Sequence, residues 1–228
     1  MTTFALLHGA WHGAWCWERL IGPLRERGHR AIAVDLPCDD VEAGLDATAD
    51  IAAAFLVEDD VVVVVGHSLS GLVLPLVAAR RPVRALVYLC AFVPLEGKSM
   101  GDQFRESPEP IVTFPVPPEG DAEGRSVWSD EAIARRSLYP DLGEEDAHWA
   151  FERLRPQAPT TQRESHPSGL PDARAVSLVC ARDAVVNPEY SRRAARERLG
   201  DEPVELDAGH FPMLTAPNLL ADALSSIV

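Results

Sequence analysis

Five consecutive valines at positions 61–65 are followed at once by the segment GHSLSG at positions 66–71. A β-branched apolar run of this kind suits a strand that is buried on both faces of a parallel sheet. A helical pattern follows over residues 69–80. A strand, a tight turn and a helix in this order raise the serine hydroxyl above the sheet edge, as in a G-x-S-x-G motif. The stretch predicts a parallel sheet with Ser68 as a candidate nucleophile, and an ordinary strand-to-helix turn is the alternative.

The motif departs from G-x-S-x-G at one position. The second small residue is Ser70, and the glycine is displaced to Gly71. Serine is still small enough for a helix and a strand to pack closely, and Gly66 leaves room for the sharp turn. The prediction for Ser68 therefore stands despite the departure.

An alternation of short apolar strands and longer helices runs through most of the chain. Strands are predicted at residues 2–7, 30–34, 61–65, 85–90, 175–181 and 204–206, and helices at residues 15–27, 46–57, 69–80, 188–199 and 217–227. Repeated strand–helix–strand units are typical of a parallel sheet with helices on its faces. The sequence therefore predicts an α/β fold with a mostly parallel central sheet of about six strands.

This alternation breaks between residues 94 and 171. The region holds most of the prolines and no apolar run that resembles a buried strand, although helical patterns occur at residues 130–138 and 144–154. So long a segment without sheet strands is typical of an insertion rather than a loop. We predict a core formed by residues 1–93 and 172–228, with residues 94–171 as a lid over the edge where the strands end.

Composition and charge argue against several classes of function. The formal net charge of −14 disfavours nucleic acid or an anionic membrane surface as a partner. No apolar run approaches the ~20 residues of a membrane span. Four scattered cysteines, without metal or disulfide spacing, indicate reduced thiols in a cytoplasmic protein. No cofactor is expected, because the chain has neither a dinucleotide-binding glycine pattern nor a phosphate loop; the expected partner is a small-molecule substrate, and a homodimer stays open.

A serine nucleophile needs a base and an acid that orients the base. Asp183 directly follows the strand predicted at residues 175–181, and His210 follows the last short strand. The carboxyl ends of parallel strands meet at one edge, where open α/β sheets bind their ligands. We therefore predict a triad of Ser68, Asp183 and His210. Taken singly, Asp183 is equally well explained as a turn cap, and His210 as a packed loop histidine.

An acyl-transfer site also needs hydrogen-bond donors for the developing oxyanion. The turn supplies the backbone N–H group of Leu69, and the loop after the first strand supplies that of Ala10, with Gly9 allowing close approach. His8 and His12 lie four residues apart in this loop. The glycines between them argue against a helix that would align both rings on a metal ion, so no metal site is predicted.

Four segments carry a resemblance to a known family: HGAWHGAW at residues 8–15, with Trp17; GHR at residues 28–30; GHSLSG at residues 66–71; and GHFPML at residues 209–214. The chain resembles the α/β-hydrolase superfamily, and within it the plant-type methylesterases and hydroxynitrile lyases with their bacterial relatives. The resemblance implies an α/β-hydrolase fold with a lid. It also implies the triad of Ser68, Asp183 and His210, and an oxyanion hole formed by Ala10 and Leu69.

The same resemblance bears on the reaction. Hydroxynitrile lyases of this group carry threonine where Gly9 stands and lysine where Phe211 stands. Cyanohydrin cleavage is therefore disfavoured, and ester hydrolysis is preferred. Five residues are expected to contact the substrate: Gly9, Trp11, Trp128, Phe211 and Met213.

These observations predict a serine hydrolase that cleaves a small, largely apolar carboxylic ester through an acyl-enzyme intermediate. Two alternatives use the same fold. In one, the triad performs a biosynthetic step, namely thioester or lactone hydrolysis, cyclisation or carbon–carbon cleavage. In the other, the protein binds a small molecule and retains only residual hydrolysis. The alanine- and arginine-rich composition indicates a bacterial source.

Overall fold

The computed structural model describes residues 1–56 and 61–228, and eight strands occur in these residues. They are β1 (Thr3–Leu7), β2 (Arg30–Val34), β3 (Val62–His67), β4 (Ala85–Leu89), β5 (Glu119–Gly120), β6 (Ser126–Val127), β7 (Ala175–Cys180) and β8 (Val204–Leu206). Six of them form one sheet in the order β2-β1-β3-β4-β7-β8, and every neighbouring pair is parallel. The predicted α/β fold with a parallel six-stranded sheet is confirmed.

Helices cover both faces of the sheet and fill the region between β4 and β7. They are α1 (Glu18–Glu26), α2 (Leu45–Ala54), α3 (Leu74–Arg80), α4 (Met100–Glu106), α5 (Glu131–Leu138), α6 (Glu144–Phe151), α7 (Thr160–Arg163), α8 (Pro188–Ala194), α9 (Pro212–Thr215) and α10 (Pro217–Ser226). The end of the helix predicted at residues 46–57 lies outside the described residues. In the part of the chain that is described, no helix is both long and apolar enough to cross a bilayer.

The valine run forms the centre of the core. Strand β3 lies between β1 and β4, and all six of its residues are buried. Val63, Val64 and Val65 have no exposed surface, so both faces of this strand pack against apolar side chains. Burial of this kind requires a continuous apolar run instead of an alternating one, which explains the sequence pattern.

The helix after the valine strand differs from the predicted continuous helix over residues 69–80. A 3-10 segment, Ser68–Leu72, comes first, and α3 begins only at Leu74. Pro75 stands at the start of α3 and has no N–H group to continue a hydrogen-bonded ladder from the preceding turn. The proline therefore separates the tight turn at Ser68 from the regular helix.

Residues 94–171 hold four helices, α4 to α7, and the short hairpin of β5 and β6, where the sequence predicted two helical patterns. This segment packs on the loops that follow β1 and β2: the Arg155 N–H group donates to the Trp11 carbonyl (2.8 Å), and the Ala158 N–H group donates to the Cys38 carbonyl (2.6 Å). Its role as a lid stays a prediction.

Candidate active site

Ser68 lies at the turn between β3 and the 3-10 segment, with a left-handed backbone (φ 54°) and 8% of its surface exposed. Such a backbone costs free energy in a residue with a Cβ, and surrounding packing must enforce it. The neighbouring glycines allow that packing. A Cβ on Gly66 would lie 2.9 Å from Leu74, and one on Gly71 would overlap the backbone of Phe92. Close contact on both sides therefore holds the serine in this strained turn.

Asp183 and His210 follow β7 and β8 and are joined by a hydrogen bond. His210 Nδ1 donates to Asp183 Oδ2 over 2.7 Å, and the two side chains are 3% and 2% exposed respectively. The other carboxylate oxygen, Oδ1, accepts from the N–H groups of Val185 (2.8 Å) and Val186 (2.9 Å). Three hydrogen bonds thus fix the carboxylate, and the carboxylate fixes the imidazole.

His67, the residue before the serine, connects the turn to His210. Its Nε2–H group donates to the carbonyl of His210 (2.8 Å), and the two ring centroids are 4.6 Å apart. Burial lowers the pKa of His67 well below its ordinary value, so this ring is neutral. The structure therefore brings Ser68, Asp183 and His210 to the same edge of the sheet, in the loops that follow β3, β7 and β8.

The loop after β1 is held by a second neutral histidine, His8. The Leu36 N–H group donates to its Nε2 atom (2.9 Å), which leaves Nδ1–H to donate to the Gly9 carbonyl (2.8 Å). Burial lowers the pKa of His8 to about 4. The Gly9 carbonyl and the Ala10 N–H group belong to the same peptide unit. In a trans peptide these two groups point in opposite directions, so the Ala10 N–H group points away from the Nδ1 atom of His8.

A cavity of about 230 Å³ opens beside Ser68. It is lined by Ala10, Trp11, Ser68, Leu69, Phe92, Met100, Phe104, Val112, Phe114, Pro118, Ser126, Gln162, Val185 and Val186. None of these side chains carries a charge, and most are apolar. The cavity thus joins both predicted oxyanion donors and the predicted nucleophile to a space suited to an uncharged ligand.

Of the five residues predicted to contact substrate, only Trp11 is among the described residues that line this cavity. Trp128 packs behind Trp11, with ring centroids 5.6 Å apart. Phe211 stacks on the ring of His12 and is 2% exposed, and Met213 is fully buried. Gly9 lines a separate space of about 30 Å³.

The lining residues that sequence analysis missed come mostly from residues 94–171 and from the loop after β7. Met100, Phe104, Val112 and Phe114 belong to the first group. Apolar residues in a proline-rich segment carry no periodic signal that tells a cavity wall from the interior of the segment itself. Their apolar character was visible in the sequence, but the face they present depends on tertiary packing.

One group of potential metal ligands occurs in the described residues: Cys90, Asp183 and His210, with ligand atoms within 4.8 Å of one another. Asp183 and His210 already bind each other through a short hydrogen bond. Burial raises the pKa of the Cys90 thiol well above its ordinary value, which favours the neutral thiol, whereas a metal ion requires the thiolate. The arrangement therefore suits a hydrogen-bonded acid–base pair better than a metal centre.

A parallel sheet with a strained serine turn after a central strand and a buried aspartate–histidine pair at the same edge defines the class of α/β hydrolases. The chain belongs to the alpha/beta hydrolase family, whose sequence profile matches residues 4–223.

Individual relatives cover nearly the whole chain. Methylesterase 2 of Arabidopsis thaliana is 28% identical, over 98% of this chain and 95% of its own length. The probable esterase PIR7A of Oryza sativa subsp. indica is 31% identical, with the same two coverages. A solved pyrethroid hydrolase from Sphingobium faniae JZ-2 superimposes with a TM-score of 0.81 at 22% identity, over 99% of this chain and 96% of that one. At that identity the superposition shows a shared fold.

Proposed function

We propose that this α/β hydrolase is a serine esterase that cleaves a small, uncharged, largely apolar carboxylic ester. The hydrogen bond from His210 Nδ1 to Asp183 Oδ2 carries the proposal, together with the contact of His210 with His67, the residue before the strained Ser68. With its proton on Nδ1, the neutral imidazole has an unprotonated Nε2 atom. A general base needs such an atom to accept the serine proton. The esterases and methylesterases among the relatives support the same reaction class.

In the proposed reaction the Ser68 hydroxyl oxygen attacks the ester carbonyl carbon. A carbon–oxygen bond forms, the serine proton passes to His210 Nε2, and the carbonyl electron pair moves onto its oxygen. The backbone N–H groups of Ala10 and Leu69 stabilise that oxyanion. Collapse of the tetrahedral intermediate expels the alcohol, which receives the proton from His210, and water then hydrolyses the acyl-enzyme by the same steps.

The cavity beside Ser68 supports the proposed substrate class. Its volume of about 230 Å³ suits a small ligand, and its walls offer apolar contact without a charged partner for a carboxylate or an ammonium group. An ionised substrate would lose its hydration here without compensation, at a cost of several kcal/mol. We therefore expect the preferred esters to be neutral at both ends.

The surroundings of Gly9 support the preference for ester hydrolysis over cyanohydrin cleavage. A Cβ at this position would lie 2.9 Å from His67 Nδ1 and 3.0 Å from the Ser68 Cβ. The threonine that the hydroxynitrile lyases of this group carry there would therefore force neighbouring side chains to move.

The proposed function is tested by replacing the nucleophile. Ser68→Ala should reduce the kcat for p-nitrophenyl acetate by ~10⁶-fold, or to the detection limit of the assay. Ser225→Ala is a matched control, because the Ser225 hydroxyl donates to the Ala221 carbonyl within α10. Esters, thioesters and lactones of similar size should be compared in the same assay. The proposal is wrong if Ser68→Ala retains wild-type activity, or if thioesters or lactones are turned over and simple esters are not.

A further inference from the structure

A third buried histidine, His12, lies between the loop after β1 and the inserted segment. Its Nδ1–H group donates to the Ala10 carbonyl (2.7 Å), and the hydroxyl of Tyr139 donates to its Nε2 atom (2.7 Å). His12 is 1% exposed and Tyr139 is fully buried. Tyr139 directly follows α5, so this chain of two hydrogen bonds joins the insertion to the backbone of a predicted oxyanion donor.

The two hydrogen bonds select one form of the imidazole. Only the neutral tautomer with its proton on Nδ1 can donate to a carbonyl and accept from a hydroxyl at the same time. Burial lowers the pKa of His12 to about 3, so the ring stays neutral at ordinary pH. The ring is also stacked between Trp15 and Phe211, at centroid distances of 5.2 and 4.6 Å. Its position and its proton are therefore both fixed.

This arrangement fixes the peptide between Ala10 and Trp11. On one edge the Ala10 carbonyl accepts from His12, and on the other edge the Trp11 N–H group donates to Gln157 Oε1 (3.3 Å). Trp11 has a left-handed backbone (φ 62°), which costs ~1–3 kcal/mol in a residue other than glycine and needs outside restraint. Without the contact from His12, the Ala10 carbonyl would lose the hydrogen bond that opposes relaxation of this loop.

We propose that Tyr139 and His12 are positioning residues through which the inserted segment holds the Ala10 N–H group in place for the oxyanion. This inference rests on the proposed esterase function. It makes a fully formed oxyanion hole depend on correct packing of residues 94–171, in addition to the shape that this segment gives to the cavity. Oxyanion-hole donors act through preorganisation, so small displacements of the Ala10 N–H group reduce transition-state binding more than substrate binding.

The proposal is tested with Tyr139→Phe, which keeps the ring and removes only the donor. Because loss of a whole oxyanion donor costs ~10²–10³ in kcat, loosening one should cost about tenfold, with KM within about twofold of the wild type. The affinity for a trifluoromethyl ketone, which adds to the serine and forms a tetrahedral oxyanion, should fall by the same factor as kcat/KM. Tyr88→Phe is the matched control, since Tyr88 is fully buried and its hydroxyl has no partner among the described residues.

A double-mutant cycle with His12→Asn distinguishes a specific coupling between Tyr139 and His12 from a general loss of structure. The asparagine side chain can still donate to the Ala10 carbonyl but cannot reach Tyr139, so it should also lower kcat about tenfold. Adding Tyr139→Phe should then cause no further loss. His12→Asn alone serves the same purpose if Tyr139→Phe does not fold.

Three results would overturn the proposal: a kcat within twofold of the wild type in the single variants, a rise in KM at unchanged kcat, or fully additive losses in the double variant. Failure of the esterase proposal itself looks different. In that case the wild-type protein hydrolyses no ester and forms no adduct with the ketone, whereas failure of the positioning role leaves an active wild type and equally active variants.

Discussion

Replacing Asp183 with asparagine should remove the general base without removing any side chain from the site. In the wild type, Oδ1 accepts from the N–H groups of Val185 and Val186, and Oδ2 accepts from His210 Nδ1. An asparagine side chain has one acceptor, the amide oxygen, and one donor, the NH2 group. Only one of the two can face the backbone N–H groups of Val185 and Val186. Turning its NH2 group towards the two buried N–H donors would leave both unpaired, at roughly 1–3 kcal/mol each.

The arrangement of lower free energy keeps the amide oxygen as the acceptor for the two backbone N–H groups. It points the NH2 group of residue 183 at the imidazole. His210 Nδ1 must then accept a hydrogen bond, so the proton of the neutral ring moves to Nε2. In the proposed reaction Nε2 accepts the serine proton, and in this variant it is already protonated. The same change in a serine protease triad lowers kcat by ~10⁴, and we expect a loss of that order here.

The assay is steady-state hydrolysis of p-nitrophenyl acetate, with thermal unfolding measured on the same samples. Asp183→Asn should keep a melting temperature close to that of the wild type, because the hydrogen bonds of residue 183 are all retained in the flipped tautomer. Asp222→Asn is the control, since that carboxylate is 67% exposed and pairs with Arg27 at the surface. A loss in kcat of less than tenfold for Asp183→Asn would refute the reasoning about the imidazole.

Three further changes test the packing, the cavity and the buried histidines. Gly71→Ala should lower the free energy of unfolding by ~3 kcal/mol, because its Cβ would overlap the Phe92 carbonyl, and an unchanged urea midpoint would contradict this. Val112→Asp should raise KM for a neutral ester at least ~10-fold by placing a carboxylate in the apolar cavity, whereas Val112→Leu should not. Burial lowers the pKa of His8 to about 4 and that of His12 to about 3, so below pH 6.5 the unfolded chain binds protons that the native chain does not. Each of the two histidines should therefore lower the free energy of unfolding by ~3 kcal/mol when the pH falls from 7 to 4. Equal urea midpoints at the two pH values would contradict this prediction.

The core of the fold could be predicted from sequence because its strands are short apolar runs buried on both faces. The run of valines became β3 at the centre of the sheet, and all six strands of that sheet were predicted. The edge at which Ser68, Asp183 and His210 meet followed from the same argument, since parallel strands end on one side. These statements depend on local pattern and on sheet geometry, which the sequence carries directly.

The cavity walls could not be predicted in the same way. Phe114 and Val112 belong to a segment whose four helices and hairpin pack on the core through long-range contacts, and no local period encodes which side chains face Ser68. Trp128 packs against Trp11 and Phe114 and so supports the wall from behind, and Met213 is fully buried and does not line the cavity. The position of His12 under Tyr139 likewise depends on contacts between residues 127 positions apart.

Covalent labelling with a fluorophosphonate tests the central claim most directly, because the reagent reacts rapidly with a serine whose proton is removed by a base. Intact-protein mass spectrometry and peptide mapping should show one adduct per chain, located on Ser68 and absent from Ser68→Ala. A protein that takes up no label, or takes it up equally at another residue when Ser68 is replaced, would contradict the account.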